Sequence, residues 1–253
     1  MPGAGRRRGI TRGQLKRWMQ ALGIVYLLMF LPVSSYIKED ILSVYGEAGS
    51  GQEEEDDGEQ VSRQNGPGRA VALTFDDGPD SETTPVLLEG LRDRNVRATF
   101  FLIGENIEKD NNRDIVEKMH EDGHIIGNHT YHHVDLSALN REDAHRELAV
   151  TDNLIREITG EEVLFVRPPF GAFPDELSEE LDKLYVKWTV DPLDWTTDNT
   201  EEIVRSVVTD VQENDIILLH DCYMSSVEAA FQIIDILQAE GYEFVTADRL
   251  LIE

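Results

Sequence analysis

Two adjacent aspartates, Asp76 and Asp77, and two histidines four positions apart, His129 and His133, are the residues whose types and spacing best suit chemistry. On a helical turn a spacing of four brings both rings to one face. Joined by one carboxylate they form a two-histidine, one-aspartate donor set with a coordination position left open, as a catalytic zinc site requires. The pattern differs from the zincin motif, because no glutamate follows the first histidine. Either half alone is a weak signal: the histidines suit a surface helix, and Asp77-Gly78 is an ordinary turn dipeptide. Further capable side chains are Arg167, ahead of Pro168-Pro169-Phe170-Gly171; Asp191 and Asp194, ahead of Trp195; and His220, after Leu218-Leu219.

The elements that must position them are short apolar runs alternating with amphipathic stretches. Strands are expected at 71–75, 98–103, 124–126, 164–166, 186–190, 216–219 and 243–245, and helices at 83–94, 113–121, 141–158, 175–184, 200–211 and 227–240. The helix at 141–158 carries Ala144, Leu148, Ile155 and Ile158 on one stripe, and Gly160 follows as its stop. Seven strands alternating with helices predict an α/β fold on a parallel sheet, open or closed into a barrel. In both cases the C-terminal ends of the strands face one side, where sites are built. Five of the seven expected strand ends run into the polar groups named above, so the separate weak signals reinforce one another.

The first 17 residues hold six of the 23 basic residues and no acidic one: Arg6, Arg7, Arg8, Arg12, Lys16 and Arg17. They form a basic tail expected on the cytoplasmic side. Residues 18–37 are almost wholly apolar, about the 20 needed to span a ~30 Å hydrocarbon core as a helix, and the charge bias sets the remainder outside. The alternative is a cleaved signal peptide, with Ser34, Ser35 and Ala48 as small residues near a cut and a secreted product. Residues 38–68 read as an acidic flexible linker, nearly all acid between 52 and 60, and 69–253 as the exported domain. Beyond residue 17 there remain 17 basic against 50 acidic residues, a net of −33, which repels nucleic acid and favours a neutral polymer as partner. The one cysteine, Cys222, excludes a disulfide framework and a cysteine metal cluster, and is expected to be a small filler rather than a reactive thiol. His132 is expected to face solvent, His124 to be packed or capping, and His120 and His145 to lie on helix surfaces. Tyr131 and Tyr223 are candidates for a sugar-binding rim.

The segments TFDDGP (74–79), HTYHH (129–133), RPPFG (167–171), DPLDW (191–195) and LLH (218–220) resemble, in order, the five motifs of the polysaccharide deacetylases of the NodB-homology type. The resemblance covers about residues 70–253. It implies a distorted (β/α) barrel of fewer than eight strands, in agreement with the seven counted. It also implies that Asp77, His129 and His133 bind one divalent metal, zinc first, with cobalt, nickel or manganese as substitutes. Asp76 is then the general base, oriented by Arg167, and His220 the general acid, tuned by Asp194. The Phe170 N–H would bind the oxyanion, and Trp195 and Leu218 would line a pocket for the acetyl methyl group. The activity implied is removal of N-acetyl groups from amino sugars of an extracellular glycan, peptidoglycan first. Alternatives are a deacetylase of poly-N-acetylglucosamine or chitin oligomers, a catalytically silent glycan-binding module, and an O-acetyl xylan esterase.

Overall fold

The structure, a computed structural model, describes residues 69–172, 177 and 183–251. The basic tail, the apolar segment 18–37, the acidic linker and most of the expected helix at 175–184 lie outside those residues. Among the described residues no helix is long and apolar enough to cross a membrane.

The strands are β1 (Arg69–Asp76), β2 (Thr99–Leu102), β3 (Ile125–Asn128), β4 (Phe165–Val166), β5 (Leu184–Tyr185), β6 (Ile216–His220) and β7 (Tyr242–Val245). The α-helices are α1 (Thr84–Asp93), α2 (Gly104–Ile107), α3 (Asn112–Glu121), α4 (Arg141–Thr159), α5 (Thr200–Asp210), α6 (Met224–Ala239) and α7 (Asp248–Leu251). A parallel strand covered on both faces reads as an unbroken apolar run. In β1 residues 71–76 are all buried, and the strand sits mid-sheet, pairing with β2, β6 and β7. All pairings are parallel, in the order β5-β4-β3-β2-β1-β6, with β7 beside β1.

The expected single strand at 186–190 is replaced by a segment with two different neighbours. Leu184 and Tyr185 pair with β4, and farther on Thr189 and Val190 hydrogen-bond to β6. Residues 184–190 thereby bridge the two sides of the curled sheet. The third strand also differs from expectation: it starts after His124 and runs two residues farther, to Asn128.

The longer helices pack outside the sheet through one apolar face each. In α4 that face is Ala144, Leu148, Thr151, Leu154 and Ile155; Asn140 caps the start by accepting the Asp143 N–H, and Gly160 ends the helix at φ 76°. The main core lies between this layer and the sheet, with Phe75, Phe100, Leu102, Met119, Ile217 and Ile233 fully buried in it.

Candidate metal and acid–base centre

Register aligns the functional side chains. Asp76 is the ladder partner of His220 across β1 and β6, and Asn128 that of Val166 across β3 and β4. His129 and Arg167 each follow one residue after that second pair, held by His129 N–H to the Leu102 carbonyl (2.9 Å) and Arg167 N–H to the Asn128 carbonyl (3.0 Å). Asp77 leaves β1 in the left-handed region, at φ 72°, which swings its carboxylate off the strand and over the sheet end.

Asp77, His129 and His133 come together there, with one ligand atom from each lying within 4.8 Å of the others. Asp77 Oδ1 is 3.2 Å from His133 Nε2 and 3.4 Å from His129 Nε2, and it is buried with no hydrogen-bond partner. His129 Nδ1 lies 2.5 Å from the Arg167 carbonyl. A carbonyl only accepts, so Nδ1 carries the ring proton and Nε2 presents a lone pair. Burial pushes the His133 imidazole down, with Asp77 opposing, which favours the neutral ring. For Asp77, burial alone would raise the carboxyl, but the surrounding imidazoles of His129, His220 and His133 outweigh it and hold the group down. Two imidazole lone pairs and an ionised, orphaned carboxylate oxygen converging on one point suit a divalent cation.

The expected helical turn at 129–133 is not what joins these ligands. The segment is an irregular loop in which Thr130 (φ 66°) and His133 (φ 55°) are left-handed, and it is this double reversal that folds both rings back onto Asp77.

Beside the triad stand two charged pairs. Arg167, fully buried, donates from Nη1 to Asp76 Oδ1 at 2.8 Å and to Thr74 Oγ1 at 2.8 Å. Its Nε and Nη2 donate to the carbonyls of Val186 and Lys187, and its Cζ lies 4.2 Å from the Phe101 ring centroid. Asp76 is thus aimed by a guanidinium that is itself fixed on every side. On the other flank Asp194, buried, accepts from His220 Nδ1 through one oxygen and from the His220 backbone N–H through the other, both at 2.8 Å. His220 Nε2 then points inward, 3.9 Å from Asp77 Oδ2. Burial alone would lower the His220 imidazole, but the Asp194 hydrogen bond and charge, with Asp76 and Asp77, raise it to about 9.

A group held protonated to about pH 9 can give a proton at neutral pH. We expect the alkaline limb of kcat/KM to report His220, at a pH lowered from the metal-free value by a cation at Asp77. In Asp194→Asn it should move down towards the ordinary imidazole value of 6.5. A limb unmoved by that substitution, read from a pH–rate profile, would assign it to another group.

The remaining candidates are placed as follows. Phe170 sits in a tight turn at φ 62°, its ring exposed and edge-on to His133 at 5.1 Å between centroids. Trp195 is half exposed in the turn Asp194–Thr196, while Leu218 is buried in β6. His132 is exposed, as expected, and paired with Glu147. His124 is buried, and its Nδ1 accepts the Ala98 N–H at 3.0 Å. Cys222 is partly buried with its thiol pushed up by burial, away from thiolate chemistry. Tyr223 is exposed with its ring 6.4 Å from that of His220, whereas Tyr131 is tied by its hydroxyl to Glu108.

Sequence reasoning missed Asp221. It is fully buried next to His220, and its carboxyl is pushed up to about 7, chiefly by burial, with the Thr84 hydrogen bond opposing. Its Oδ2 accepts from Thr84 Oγ1 at 2.6 Å, and its carbonyl accepts from Thr83 Oγ1 at 2.6 Å. A Cβ at Gly78 would stand 2.3 Å from Oδ2, so only glycine fits between Asp77 and Pro79. These contacts tie the turn that carries Asp77 to the end of the strand that carries His220. The sequence hint was an aspartate directly after a strand-end histidine.

A carboxylate fixed by a buried cation on one side and an imidazole kept charged on the other define an acid–base centre set around a metal-type donor triad. The chain belongs to the polysaccharide deacetylase family. Residues 63–188 match the family described as Polysaccharide deacetylase. A peptidoglycan-N-acetylglucosamine deacetylase from Bacillus cereus is 38% identical over 183 residues, covering 70% of this chain and 66% of the relative. The peptidoglycan-N-acetylglucosamine deacetylase PgdA of Listeria monocytogenes is 32% identical over 182 residues, covering 72% of this chain and 39% of the relative. The match thus spans from well under half to about two thirds of these relatives' lengths. Among solved structures, the peptidoglycan deacetylase PdaC from Bacillus subtilis superposes with a TM-score of 0.70 at 34% identity, over 73% of this chain and 91% of that one.

Proposed function

We propose that this chain is a metal-dependent hydrolase that removes N-acetyl groups from amino sugars of an extracellular glycan, with peptidoglycan as the substrate. The observation that carries the reading is the orphaned Asp77 Oδ1 between two imidazole Nε2 atoms, flanked by the Arg167–Asp76 and Asp194–His220 pairs. The likeness to peptidoglycan-N-acetylglucosamine deacetylases of Bacillus and Listeria supports the choice of peptidoglycan.

An amide is a poor electrophile, so its hydrolysis needs an activated water, a polarised carbonyl and a protonated leaving amine. A divalent cation held by Asp77, His129 and His133, with zinc the metal these donors suit, would supply the first two by lowering the pKa of water and drawing charge from the acyl oxygen. Asp76, aimed by Arg167, takes the proton of the attacking water. His220 passes its Nε2 proton to the leaving nitrogen, and Asp194 stabilises the charged ring until it does. The Phe170 N–H faces the developing oxyanion, an interaction of a kind that contributes ~2.7–4 kcal/mol. Leu218 and Trp195 shelter the acetyl methyl group.

The test is mass analysis of peptidoglycan fragments, chitin oligomers and acetylated xylan after incubation with the zinc-loaded chain. Loss of N-acetyl groups from peptidoglycan is the expected result; loss from acetylated xylan alone would mark an O-acetyl esterase, and no loss from any of the three a silent module.

We also propose that residues 18–37 anchor the chain and leave 69–253 outside the cell membrane. Protease added to intact spheroplasts should then release that part, cutting within the acidic linker. A soluble form beginning near residues 35–50 would show signal cleavage instead.

A further inference from the structure

The loop that presents His129 and His133 receives its shape from outside itself, and this raises the question of which side chain imposes it. Thr130, Tyr131 and His132 lie beyond the end of β3, and two of the five residues from 129 to 133 are left-handed without being glycine. Such residues are costly and persist only where their surroundings enforce them. Four neighbours do so. Asn128 Oδ1 accepts the Thr130 N–H at 2.8 Å. The N–H groups of Gly104 and Glu105, at the start of α2, donate to the carbonyls of Thr130 (3.0 Å) and Tyr131 (2.9 Å). Glu147, on α4, takes the rest: its Oε2 accepts the N–H of Tyr131 at 3.0 Å and that of His132 at 2.8 Å, and its Oε1 meets His132 Nδ1 at 2.8 Å.

Glu147 is therefore a carboxylate, its side chain only 15% exposed, that grips the two consecutive amides lying between the metal-type ligands. Hydrogen bonds from amides to a carboxylate are roughly twice as strong as neutral ones. The helix beneath is anchored to the same loop through Asn128, whose Nδ2 donates to the Leu148 carbonyl and to Asp152 Oδ1.

We infer that Glu147 is a positioning residue for the metal centre: by clamping the Tyr131 and His132 amides it fixes the separation of the His129 and His133 rings, and so sets metal affinity. The inference rests on the metal reading given above. Groups that orient first-contact ligands typically change metal affinity 10–100-fold when removed.

The experiment is a chelator-competition titration of Zn²⁺ against the full-length chain, at a temperature well below unfolding, for wild type, Glu147→Ala, Glu147→Gln and His132→Ala. The expected result is a Kd raised about 10–100-fold in Glu147→Ala. A smaller rise is expected in Glu147→Gln, which keeps one acceptor oxygen. His132→Ala should match wild type, because it removes the ring but leaves both amides clamped. Should Glu147→Ala fail to fold, the isosteric Glu147→Gln decides. Unchanged Kd in the folded Glu147 variants, or an equal loss in His132→Ala, overturns the clamp. Failure of wild type to bind Zn²⁺ would instead overturn the metal reading itself.

Discussion

His133→Ala should remove both the bound metal and the activity. The wild-type chain purified without chelator is expected to hold about one divalent ion, as one three-ligand site requires. The variant should hold almost none and lose about three orders of magnitude or more in turnover, since a metal's Lewis acidity contributes several kcal/mol. The geometry gives the reason: His133 Nε2 is the donor nearest to the unpartnered Asp77 Oδ1, at 3.2 Å. Because His133 also holds a left-handed backbone at φ 55°, a second variant separates the two roles. Asparagine tolerates that conformation, so His133→Asn keeps the loop and lacks the imidazole. It should fold as well as wild type and still be metal-poor. Elemental analysis alongside a thermal melt reads both outcomes, and full metal occupancy in both variants would sink the ligand assignment.

How much of this centre the sequence shows depends on whether a residue's environment is local. The run from Val71 to Phe75 was readable as a strand because burial on both faces forces it to be apolar, and the polar residues after it then had to lie at the strand's end. The same reasoning places His220 at the end of the sixth strand, and the ladder sets it opposite Asp76. The bridge formed by 184–190 was not readable. Its neighbours, β4 and β6, are set by closure of the curl, and nothing in those seven residues encodes a change of partner. The spacing of four between His129 and His133 fits a helical turn, and no glycine marks the reversals at Thr130 and His133 that the loop uses instead. The groups that enforce them, Gly104 and Glu147, come from α2 and α4. Asp221 went unnoticed for the same reason: its role comes from Thr83 and Thr84, 138 and 137 positions away.

Asp76→Asn should reduce turnover by about two to four orders of magnitude while leaving the metal in place. The amide is nearly isosteric with the carboxylate and can still accept the Arg167 Nη1 hydrogen bond, but it cannot take a proton from water. Metal retention is expected because Asp76 Oδ2 stands 3.7 Å from His129 Nε2, and the three converging donors belong to other residues. Stability responds separately. Arg167 is wholly buried, and Asp76 is the carboxylate paired with it. Breaking a buried pair by removing one charge typically costs about 3–5 kcal/mol, because the surviving charge is left uncompensated. Here Thr74 Oγ1, the Val186 and Lys187 carbonyls and the Phe101 ring still contact the guanidinium, so the lower end of that range is expected. The pair of measurements therefore has a distinctive form: a folded, metal-loaded chain with a lower unfolding midpoint and a rate loss larger than the stability loss explains at a temperature where it is fully folded. Turnover within tenfold of wild type under those conditions would show that another group takes the proton. Loss of the metal would show that Asp76 belongs to the ligand set.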